Sequence, residues 1–69
     1  MNQSPKYLIR LMESRGWVLK RVKGSHHIYF HPQTNETMPI PVHGNRDIGK
    51  GLLLKIIKKV GITVDEMNG

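Results

Sequence analysis

Apolar residues follow a helical spacing at both ends of this chain and an alternating spacing in between, and that switch limits the folds open to it. Near the start, Leu8, Leu11 and Met12 recur at i, i+3 and i+4, while Lys6, Arg10 and Glu13 face away. Ser4-Pro5 predicts the helix start: the serine hydroxyl accepts from a free N–H, and proline suits the first helical position. Gly16 is the expected left-handed stop. From Trp17 to Val22 the residues become aromatic or β-branched, which predicts a strand. Lys23-Gly24-Ser25 turns the chain, and His26 to His31 returns as a second strand. Pro32 to Asn35 is a further turn, and Thr37 to Val42 alternates again, with Met38, Ile40 and Val42 on one face. Pro39 and Pro41 cannot donate to a ladder, which places this segment at a sheet edge or on its non-bonding side.

The polar stretch from His43 to Gly49 reads as a loop, followed by a second helix over about 50–60. Leu53, Ile56, Ile57 and Val60 form its apolar stripe, with Lys55, Lys58 and Lys59 on the other side. Gly61 ends it, and Thr63 with Glu66 has the form of a capping box for one last helical turn. Two helical stripes and one three-stranded sheet satisfy each other when both helices cover the same sheet face. The expected fold is therefore α+β, a two-layer α-β-β-β-α domain spanning residues 1–69, with the other face of an antiparallel sheet open to solvent.

Charge points to a partner. Eleven Lys and Arg against five Asp and Glu give a net charge of +6, which suits a polyanion such as nucleic acid, with plain solubility charge as the alternative. Sixty-nine residues leave little room for an enclosed active site, so chemistry is expected on an open surface. There are no cysteines, hence no disulfide framework or thiolate metal site, a usage that suits the cytoplasm. No apolar run approaches the roughly 20 residues of a membrane span, and the first residues lack the pattern of a signal peptide.

Three of the four histidines fall in the stretch KGSHHIYFHP, residues 23–32. Side chains alternate along a strand, and Ile28 and Phe30 are the expected core residues, so His26 shares their face and His27, Tyr29 and His31 project onto the open one. His27 and His31 lie roughly 13 Å apart along an extended chain, too far to share a zinc ion about 2 Å from each ligand. His26 and His27 point to opposite faces, and His43 brings no third ligand, so no metal site is expected.

The order of these segments resembles the HicA family of toxins from bacterial and archaeal toxin–antitoxin systems. The resemblance rests on Gly16-Trp17, Gly24-Ser25-His26-His27, Ile40-Pro41-Val42-His43, Gly51 to Ile57 running into Lys58-Lys59-Val60-Gly61-Ile62, and Thr63 to Met67. It implies a fold similar to double-stranded RNA-binding domains, ribonuclease activity on mRNA, and a HicB antitoxin that covers the active surface; the cleavage itself is expected to need no metal or small-molecule cofactor. It also implies that the second histidine after Gly-Ser, His27, is catalytic.

Histidine can take the proton of a ribose 2′-hydroxyl or give one to the leaving 5′-oxygen near neutral pH. His27 is expected to do one of these, with His43, Tyr29 or water as its partner. Lys20, Arg21, Lys23, Arg46 and Lys50 are candidates to hold the phosphates, and the second helix start offers free N–H groups. Tyr29 either meets RNA, by stacking on a base or contacting a phosphate, or is a solvated ring, and Trp17 is expected to pack rather than to stack. Two other functions stay open: an RNA-binding module without catalysis, and an inactive partner of a HicB-like protein.

Overall fold

A computed structural model describes Met1–Gly69 as α1 (Pro5–Ser14), β1 (Val18–Lys23), β2 (His26–His31), β3 (Glu36–Pro41), α2 (Lys50–Val60) and α3 (Val64–Met67). The three strands form one antiparallel sheet in the order β1-β2-β3, so the fold is α+β as expected.

The helix boundaries follow from their caps. The Ser4 hydroxyl accepts from the Tyr7 N–H with Pro5 in the first turn, and α1 stops before Gly16 at φ +96°. α2 closes on Gly61 at φ +82°, a conformation that a β-carbon would strain. Thr63 and Glu66 form the capping box of α3. That last turn is tied back to the first helix: the Tyr7 hydroxyl donates to the Glu66 carbonyl at 2.8 Å, and Arg15 pairs with the Glu66 carboxylate.

Twelve buried side chains make the core. Leu8 and Met12 come from α1, Leu53, Ile56 and Ile57 from α2, Tyr29 from β2, and Met38 and Ile40 from β3, with Trp17, Ile48, Ile62 and Met67 closing the ends. Trp17 packs, as expected. Each such side chain contributes roughly 1.5–3 kcal/mol on burial. None of the twelve belongs to β1, all of whose residues are exposed. The helical layer therefore lies over β2 and β3 and leaves β1 overhanging.

The register corrects the expected facing of β2. Tyr29 stands opposite Met38 and His27 opposite Ile40, so both are on the helix-covered face with His31. Tyr29 is only 4% exposed, whereas Ile28 and Phe30 are half-buried on the bare face. The physical reason is the four-residue turn at 32–35, which pairs His31 with Glu36 and thereby locks β2 to the apolar phase of β3.

Candidate active site at the rim of the helical layer

His27 occupies a boundary. On one side its strand neighbour is Ile40, fully buried under the helices; on the other it is Val22, 53% exposed on the overhanging strand. The ring is half-buried as a result. It is thus not on the open sheet face as expected, but at the step where the helical layer ends. Its Nδ1 is the one side-chain polar atom of the protein that is buried without a hydrogen-bond partner.

The other two histidines of the stretch have separate surroundings. His31 Nε2 lies 2.8 Å from the Arg15 carbonyl, and its ring meets Trp17 edge-on at 5.3 Å between centroids. His31 thus clasps the end of α1 to the sheet. His26 is exposed on the bare face, opposite Lys23 and Pro41.

Tyr29 is enclosed in the core and cannot stack on a base, which corrects its expected role in binding RNA. Burial raises its phenol above the usual tyrosine range, and the nearby Glu13 carboxylate adds to the shift.

The candidate cations divide between two regions. Arg21 and Lys23 stand opposite Ile28 and His26, so they lie on the bare face. Lys20 sits where the β1–β2 register shifts, and its ammonium lies 5.3 Å from the centre of the Phe30 ring. Arg46 and Lys50 are exposed on the loop and at the start of α2 instead. Val42 donates its N–H to the Ser25 carbonyl at 2.7 Å, so the loop containing His43 and Arg46 leaves from the end of the sheet where β2 begins. The first turn of α2 has neither a side-chain cap nor an acidic residue, which leaves its N–H groups free. No helix is long and apolar enough to cross a membrane.

The half-buried Ile28 and Phe30 lie on the bare face although their apolarity reads as core. The pairing of Met38 with Tyr29 was the signal that would have exchanged them. A family model described as the HicA toxin of bacterial toxin–antitoxin matches residues 5–62. No curated protein matches the chain.

Proposed function

The chain belongs to the HicA toxin family, and on that premise we propose that it is an endoribonuclease whose catalytic group is His27. The observation that carries this reading is the state of that side chain: half-exposed, at the rim of the helical layer, with a buried nitrogen that nothing in the protein satisfies. A group left so at a boundary calls for a functional explanation, since natural folds satisfy nearly all of their buried polar atoms.

In this reaction the ribose O2′ attacks the adjacent phosphorus and the bond to O5′ breaks, leaving a 2′,3′-cyclic phosphate and a 5′-hydroxyl. A ring nitrogen of His27 takes the O2′ proton or supplies the proton that leaves on O5′, and water or His43 completes the pair. Cations offset the charge that develops on the phosphoryl oxygens, and Arg46, Lys50 and the uncapped start of α2 are suited to that. No step needs a metal. The enzyme acts on mRNA in the cytoplasm, slows growth, and is held inactive by a HicB-type antitoxin.

Purified protein incubated with mRNA in EDTA tests the reading. His27→Ala should lower cleavage by about 10²-fold or more. Its urea midpoint should stay close to that of the parent, because the substitution also removes the unpaired nitrogen. Full cleavage by this variant would refute the assignment, and RNA retention without cleavage by the parent would favour a binding module.

A further inference from the structure

The bare sheet face carries a site that the catalytic reading does not use. At the β1–β2 hairpin, Lys23, Gly24, Ser25, His26, Ile28 and Pro39 line an open depression of about 570 Å³. Its floor is apolar, from Ile28 and Pro39, which are paired across the strands. Its wall is polar and cationic, from Lys23, Ser25 and His26. Arg21, opposite Ile28, and Lys20, over Phe30, extend the same character along the sheet. No carboxylate stands on this face: Glu36, the one acid in the strands, is opposite His31 and shares the covered side.

We propose that this depression is a nucleotide subsite for single-stranded RNA, with a base laid on Ile28 and Pro39 and its phosphate held by Lys23 and His26. The inference rests on the ribonuclease reading for its choice of ligand. Charge complementarity selects a polyanion, because every ionisable group on the face is a base. The apolar floor selects an unpaired strand, because only splayed bases offer their faces to side chains. His26 and His27 are adjacent in sequence and project to opposite sides of β2. A strand seated on His26 therefore reaches His27 by passing around the hairpin tip, where Gly24 has no side chain in the way and no atom beyond its chain neighbours within 4 Å of where one would start. The subsite grips RNA on one side of the sheet while cleavage takes place on the other.

The test uses the His27→Ala protein, which leaves RNA intact, with a short fluorescein-labelled single-stranded oligoribonucleotide and anisotropy as readout. Adding Lys23→Ala and His26→Ala together should weaken binding roughly tenfold, and Lys23→Ala alone should lower the slope of log K against log salt by about 1. Lys58→Ala with Lys59→Ala, on the far side of α2, should leave affinity within about twofold, and thermal melts confirm that each variant is folded. Affinities within twofold of the parent for the Lys23 and His26 variants would overturn the proposal. Equal competition by a duplex of the same length would overturn its single-strand character. Loss of antitoxin binding with RNA affinity unchanged would assign the face to a protein partner instead and refute it too. Failure of the parent protein to cleave RNA at all would count against the ribonuclease reading, which the binding measurements on the His27→Ala background do not depend on.

Discussion

Exchanging the fates of Tyr29 and Phe30 is the most direct way to examine the register of β2. Tyr29 is 4% exposed, between Met38 and the helices, whereas Phe30 stands on the bare face with Lys20 above it. Replacing a buried aromatic ring by Ala costs about 3–5 kcal/mol, since both transfer energy and a cavity are lost. Phe30→Ala removes a half-exposed ring and one cation–π contact of about 0.5–1 kcal/mol, for a total near 1 kcal/mol. A chain of 69 residues has roughly 3–10 kcal/mol of stability in all. Tyr29→Ala should therefore unfold the protein or leave it marginal, while Phe30→Ala should lower its melting temperature by about 4–8 °C. Urea titrations followed by circular dichroism separate the two, and Tyr29→Leu supplies a milder variant if the alanine protein cannot be isolated. Equal costs, or a larger loss for Phe30→Ala, would refute the register and restore the opposite facing for His27.

Three further outcomes follow from the ends of the helices. Gly16→Ala sets a β-carbon at φ +96° and 3.0 Å from His31 Nε2, so it should cost about 2–3 kcal/mol from backbone strain and the displaced bond to Arg15. A double-mutant cycle with His31→Ala should show coupling above about 0.5 kcal/mol, and additivity would refute the clasp. At α3, Thr63→Ala should cost about 0.5–2 kcal/mol in urea titration. The Thr63 N–H first, and then the Arg15 guanidinium, hold the Glu66 carboxyl below the ordinary carboxylate range. Its stabilising effect is present above about pH 4.3, the unfolded value, and is lost as pH falls through the lower folded one. Melting temperatures of Glu66→Gln should lack that part of the acid dependence.

Most of the architecture was legible because local signals and periodicity agree along the chain. Ser4-Pro5, Gly16, Gly61 and the Thr63–Glu66 box each mark a boundary that the backbone adopts, and the stripe of Leu53, Ile56 and Ile57 is buried as its spacing requires. The facing of β2 was not legible from β2 itself. In HHIYFH each phase holds apolar surface, Ile28 and Phe30 in one and Tyr29 in the other, and transfer scales favour the wrong pair. The decision belongs to β3, where Met38 and Ile40 are unambiguous, and to the length of the turn that couples the two strands. The overhang of β1 was likewise invisible, because it depends on how far the helices reach across the sheet. So the half-buried setting of His27 and the solvent-facing His26 emerge only when the strands are in register.

The sheet has two unlike ends, as a polymer has a capped end and a growing one. Pro39 and Pro41 deprive the β3 edge of two N–H donors, which terminates it against another strand. β1 keeps its outer donors and acceptors and exposes Val18, Leu19 and Val22, so it is the reactive end, restrained by a register shift and by Lys20, Arg21 and Lys23. Under the proposed subsite those three cations hold two opposed duties, attracting an anionic chain to the face while repelling a second copy from the edge. Stripping them to silence nucleic-acid affinity would also remove the barrier to self-association.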